Sequence, residues 1–203
     1  MALQLTFSNI LQLFSAIAPL LLAFFLVMTS IFNQDIKGLV YLSGVLLALV
    51  INIPIMNQVG SKMDIEKAST TCNIIDLPLL NNFNSPSPSS LFLGFTTSYL
   101  LLPMKYNGQT NYVVLASLLC LIGLDMFTKV TKYCTTWAGA ILGSLIGLVL
   151  GAIWFTIFQT AGYDSLLYFN ELASNNVQCS KPSKQTFKCS VYKNGELVSS
   201  NIA

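Results

Sequence analysis

The sequence predicts an all-α integral membrane bundle of about five transmembrane helices, followed by a small C-terminal tail containing a β-hairpin. Three observations carry this expectation. Of 203 residues, 54% are hydrophobic and only 9% are charged, and the mean hydropathy is +0.66. A soluble chain carries about 25% charged residues, so most of this one is built to face lipid or other apolar helices. The apolar residues come in runs close to bilayer length. The last forty residues break that pattern and turn polar.

The first expected span covers 10–32. It carries no charge and holds Pro19, which a membrane helix tolerates when neighbours satisfy the freed carbonyl. It lacks a basic leading segment and its apolar stretch is too long for a cleaved signal, so it is expected to stay in the membrane. Asn33 to Lys37 is a tight polar turn, and 38–56 is the second span, forming a hairpin with the first. A long loop follows to Ser90, with an apolar but short segment at 74–80 and an irregular stretch rich in Asn, Ser and Pro at 81–90. The remaining spans are expected at 89–104, 111–127 and 137–159, with Trp154 near a membrane interface. These make 1–160 a transmembrane domain and 161–203 a polar tail. In the tail, Phe187 to Lys193 alternates apolar and polar residues, and Asn194-Gly195 then gives the strongest short hairpin signal.

All ten basic residues are Lys, and the chain has no His and no Arg. That removes the commonest general base and metal ligand and the bidentate phosphate clamp. No enzyme dependent on histidine or arginine is expected, nor any metal or cofactor. A net charge of +2 gives no sign of nucleic-acid binding. No Cys-x-x-Cys pair occurs among the five cysteines. Cys120 reads as a packed apolar side chain. Cys179 and Cys189 share the tail, and would form a disulfide in an oxidising compartment and remain thiols in a reducing one.

Gly139, Gly143, Gly147 and Gly151 recur at every fourth position of the fifth span, giving one flat helix face for close packing. That face packs on a helix of the same chain or drives self-association, and the sequence leaves both open. Asp125 and Lys129, four residues apart near the end of the fourth span, make a favourable acid–base pair. It is either an ordinary membrane-boundary pair or part of a polar pocket that holds a lipid phosphate with Lys62 or Lys132.

The segment Thr131 to Gly143 resembles the third motif of the type 2 phosphatidic acid phosphatase superfamily, and Ser85-Pro86-Ser87-Pro88-Ser89-Ser90 resembles its Pro-Ser-Gly-His motif. The resemblance covers about 62–157 and places both motif loops on one side of the membrane. It implies a lipid-phosphate site with Lys62 at the first-motif lysine. The catalytic residues are replaced. Ser69-Thr70 stands where the family has Arg-Pro, and the second-motif His falls on Ser89 or Leu91. The third-motif Arg falls near Asp125 or Met126, its His on Thr131 or Lys132, and its Asp on Thr135 or Thr136. Transfer through a phosphohistidine requires His, so the resemblance implies a catalytically inactive scaffold.

Usage rich in Asn, Ile and Lys, a bundle stripped of catalytic side chains and a compact tail resemble the integral membrane proteins of large DNA viruses of eukaryotes. On that reading the protein is structural. Its helices sit in a virion's internal membrane, and its tail contacts capsid or core proteins. The alternatives are a lipid-phosphatase-like pseudoenzyme that binds head groups, and a transporter or channel. Lys62, Lys67, Lys129 and Lys132 outnumber Lys37 and Lys105, so near-membrane charge places the motif loops and N-terminus in the cytoplasm. The tail lysines weigh the other way.

Overall fold

The computed structural model describes residues 7–59, 72, 85–108, 110–169, 188–193 and 196–202. Five helices make up its body: α1 (Phe7–Phe32), α2 (Lys37–Val59), α3 (Pro88–Tyr106), α4 (Tyr112–Thr131) and α5 (Trp137–Thr160). A short 3-10 turn, Asp164–Leu166, follows α5. In the tail, β1 (Lys188–Lys193) pairs antiparallel with β2 (Glu196–Ile202), with Lys193 opposite Glu196.

Local chemistry sets the helix ends. The Asn111 side chain accepts from the Val113 and Val114 N–H groups at 3.0 and 3.2 Å, and the Thr136 hydroxyl accepts from Gly139 N–H at 3.0 Å. Each caps orphan donors of a first turn. Pro88 opens α3, where a missing N–H costs nothing. Between α1 and α2, the Ser30 hydroxyl faces the Asp35 carbonyl and carboxylate and accepts from Gly38 N–H at 2.8 Å. Any side chain at Gly38 would press into Ser30, with a Cβ only 2.7 Å from the Ser30 Cβ.

Four helices are long and apolar enough to cross a membrane: α1 from Ile10, α2, α4 and α5. The third expected span, α3, is not among them. This helix is buried without a break from Ser90 to Leu100. A helix enclosed on every face shows nothing to lipid, so it can carry Thr96, Thr97 and Ser98. Their hydroxyls return to the Phe92, Leu93 and Phe95 carbonyls at 2.9, 2.7 and 3.1 Å. The other helices turn Phe24, Phe25, Leu39, Val50, Leu119 and Ile153 outward.

Contacts between helices fix their directions. On α5, Gly143 meets Ser87, Gly147 meets Leu91 and Gly151 meets Phe95, so α3 and α5 run parallel. Tyr41 of α2 bonds Thr96 at 2.7 Å while Asn52 reaches Pro86, so α2 runs against α3. Ser89 meets Asp125, so α4 runs against α3 as well. The bundle is therefore up-down-up-down-up. One end gathers the start of α3, the end of α4 and the start of α5. The other gathers the α1–α2 turn, the end of α5 and Tyr168. Near that second end Tyr41, Phe92, Phe95, Tyr99 and Tyr168 form an aromatic core with ring centroids 5.7–6.5 Å apart.

Tyr168 donates to the Leu26 carbonyl at 2.8 Å. Burial, and then the Asp35 carboxylate, hold its phenol above the usual value. A raised acid pKa adds stability that is complete below the ordinary phenol value of 10.0 and is lost as pH rises through the folded value. Tyr168→Phe is expected to cost about 1 kcal/mol at neutral pH and to flatten this alkaline loss, read by thermal unfolding in detergent across pH.

Two further expectations change. Helix α4 runs on to Thr131, so Asp125 and Lys129 lie inside it. Cys120 is free and exposed on the outer surface rather than packed in protein, which a lipid-facing helix permits. Trp154, half-buried, donates to the Val40 carbonyl at 3.2 Å and sits against Gly44 in the first turns of α2.

Candidate functional site: a buried carboxylate cluster

At the first end, the N-terminal turn of α3 lies against the last two turns of α4. Asp125 is 1% exposed. Its carboxylate accepts from the Ser89 hydroxyl at 2.9 and 3.0 Å and from the Ser90 hydroxyl at 2.9 Å. The Lys129 ammonium stands 3.6 Å from Asp125 and donates to Ser89. Ser87 lies 3.4 Å from Ser89. A buried charge is tolerable only when paired and hydrogen-bonded, and here both conditions hold.

Helix geometry builds the cluster. Asp125 and Lys129 are one turn apart on α4, so both reach the same face. Ser89 and Ser90 sit in the first turn of α3, where the positive end of the helix dipole favours an anion. Thr128, between the pair, places its hydroxyl 2.6 Å from Ser15 of α1 and 2.7 Å from the Leu124 carbonyl. Asn52 of α2 donates to the Pro86 carbonyl at 3.3 Å, and its Oδ1 has no partner among the described residues.

Cys72 and Cys134 are joined by a disulfide across 62 positions of sequence. It ties the α2–α3 loop to the α4–α5 loop. Beside it a shallow crevice of about 10 Å³ is lined by Gln12, Ser15, Ala16, Thr128 and Lys129. Lys129 is thus shared: its ammonium is held by Asp125 and Ser89, while 20% of the side chain stays exposed.

The chain matches no family model, no curated protein and no solved structure. Its own geometry must carry the functional reading.

The positions singled out from sequence divide clearly. Asp125 and Lys129 form an ion pair in which the carboxylate is enclosed by protein. Lys132 closes α4 through its backbone N–H to Thr128 and makes no ion pair among the described residues. Lys62 lies outside the described residues, as do Cys179 and the side chain of Cys189, so the tail disulfide is not part of the described structure. Gly139, Gly143, Gly147 and Gly151 are all buried. The Gly139 carbonyl accepts from Ser87 N–H at 3.0 Å and the other three meet α3, so the same-chain alternative describes this face.

Sequence reasoning missed Ser89 and Ser90 as partners of Asp125. The available signal was a serine-rich first turn preceding a span, with a lone buried acid two spans' ends away. The Cys72–Cys134 bond was also missed. Both cysteines lie in loops that the up-down order brings to one end.

Proposed function

We propose that this chain is a non-enzymatic, structural multi-pass membrane protein whose polar tail is its contact with neighbouring proteins. The observation that carries this reading is the sheathing of α3, which is buried from Ser90 to Leu100 inside four apolar helices. In this reading α3 crosses the bilayer too, shielded by the others. A transport route would need a water-lined path, and the centre is instead filled by Phe92, Phe95, Tyr41 and Tyr99. The absence of His and Arg from the sequence supports a non-enzymatic role. Composition alone supports placing the protein in a virion's internal membrane with the tail on capsid or core proteins.

Crosslinking with mass spectrometry on native membranes tests this. The expected result is crosslinks from Lys181, Lys184, Lys188 or Lys193 to a protein layer. A tail linked only to itself overturns the reading.

A second reading rests on the crevice beside Lys129. The exposed part of a half-buried lysine, at the mouth of a shallow crevice beside Gln12, Ser15 and Thr128, offers a cation to the phosphate of a lipid head group. Lys129→Met is expected to abolish retention of an anionic lipid in native mass spectrometry. Unchanged retention sinks this alternative.

A further inference from the structure

We propose that the end of the bundle closed by Cys72–Cys134 faces an oxidising compartment, and that the chain beyond Phe169 lies in the reducing compartment across the membrane. The inference rests on the membrane reading above and adds an orientation to it.

The first observation is covalent. Cys72 and Cys134 are bonded, and structural disulfides form and persist where the surroundings are oxidising. The bond joins two loops that the helix directions put at the same end, so both loops share that compartment.

The second observation is the path of the chain. Helix α5 starts three residues after Cys134 and runs parallel to α3, so Thr160 emerges at the opposite end. The chain is held there: Asn107 of the α3–α4 turn donates to the Phe169 carbonyl at 3.2 Å, and Tyr168 bonds Leu26 near the end of α1. Residues 170–203 contain no apolar run long enough to cross back. The tail therefore stays on the side away from the disulfide.

The third observation is charge. Counting only lysines near the membrane favours a cytoplasmic disulfide end, by four to two. The whole chain reverses that. Six of the ten lysines lie on the tail side (Lys37, Lys105, Lys181, Lys184, Lys188 and Lys193), against Lys62, Lys67, Lys129 and Lys132 on the other. The positive-inside bias weakens with distance from the spans, and the tail lysines lie beyond its strong range. The near-membrane margin of two lysines therefore leans against this orientation. The disulfide outweighs that margin, because a glutathione-reducing cytosol opposes the bond itself.

The orientation has two consequences. The Lys129 crevice, beside the disulfide, opens on the oxidising side. On this orientation Cys179 and Cys189 are expected to face the reducing compartment and to remain thiols.

The test uses the full chain in sealed, right-side-out membrane vesicles, labelled with a membrane-impermeant maleimide before and after permeabilisation, then mapped as non-reduced peptides. The expected result has two parts. Peptides holding Cys72 and Cys134 are recovered linked, and Cys179 and Cys189 are labelled only after permeabilisation. Labelling of the tail in sealed vesicles overturns the proposal. So does recovery of Cys72 and Cys134 as free thiols, or of Cys179 joined to Cys189. Alkaline carbonate extraction run in parallel separates the two layers of inference. A chain released by carbonate refutes the membrane reading itself, whereas a retained chain with reversed labelling refutes the orientation alone.

Discussion

Asp125→Ala is expected to destabilise the protein by about 3–5 kcal/mol, the loss typical of breaking a buried ion pair by removing one partner. The carboxylate is enclosed, and Ser89, Ser90 and Lys129 all converge on it. Its removal leaves the Lys129 ammonium without its counter-charge and two hydroxyls without their acceptor. It also unties α3 from α4 at the end where the helices enter the bundle. Asp125→Asn keeps one acceptor oxygen, so its cost is expected to be smaller, about 1–3 kcal/mol. Replacing both charges, with Asp125→Leu and Lys129→Met together, is expected to recover much of the loss, because no unpaired charge remains. Thermal unfolding in detergent reads all three. A loss below about 1 kcal/mol for Asp125→Ala would mean the carboxylate is not the tie between these helices. The double variant also separates roles: a stable fold that no longer retains anionic lipid would assign the lysine to binding rather than to structure.

The parts of this fold that were legible in the sequence are those governed by local chemistry. Runs of apolar residues, punctuated by Asn33–Lys37 and by the polar stretch before Trp137, give the ends of α1, α2 and α5 almost directly. The turn at Asn107-Gly108 does the same for α3, with Gly108 at φ +67°. The role of α3 was not legible, because hydropathy reports what a helix can face, not what encloses it. Its Thr96-Thr97-Ser98 run lowers its apolarity, and only the packed neighbours show that this is permitted. The end of α4 was also misjudged. Asp125 and Lys129 look like polar punctuation in one dimension, yet in three dimensions each meets a partner on α3 and the helix continues past them. Cys120 shows the converse error. An apolar setting in sequence need not be a packed one, and on an outward-facing helix surface the two differ.

The candidate site was half legible for the same reason. A four-residue spacing can be read from one strand of sequence, so the Asp125–Lys129 pair could be named. Ser89 and Ser90 are about 35 positions away, and their pairing with Asp125 follows only from the antiparallel course of α3 and α4. The disulfide depends on still longer connectivity, across 62 positions. In the chain-entropy view, closing a loop of that size restrains the unfolded state by about 4 kcal/mol. It therefore braces the same end of the bundle as the carboxylate cluster.

The glycine face carries the second large effect. At Gly147 an added Cβ would collide with the backbone carbonyl of Leu91 and stand 2.8 Å from Phe95 N. Backbone cannot rotate aside as a long side chain can, so α3 and α5 would have to separate. Gly147→Leu is therefore expected to cost about 3 kcal/mol or more, at or above the upper end of ordinary overpacking, and to lower the yield of folded protein in the membrane. Gly123 on α4 is the matched control, since an added Cβ there meets nothing within 4 Å. Gly123→Leu is expected to change stability by less than about 0.5 kcal/mol, as for substitutions that touch no buried neighbour. Unfolding in detergent compares the pair. If the glycine face instead served only to join two copies of the chain, Gly147→Leu would leave the unfolding of the monomer unchanged and alter the oligomeric state alone. A large loss of monomer stability, with Gly123→Leu silent, assigns the face to the contact between α3 and α5. That contact holds the buried helix in place, and it sets Ser89 and Ser90 where Asp125 needs them.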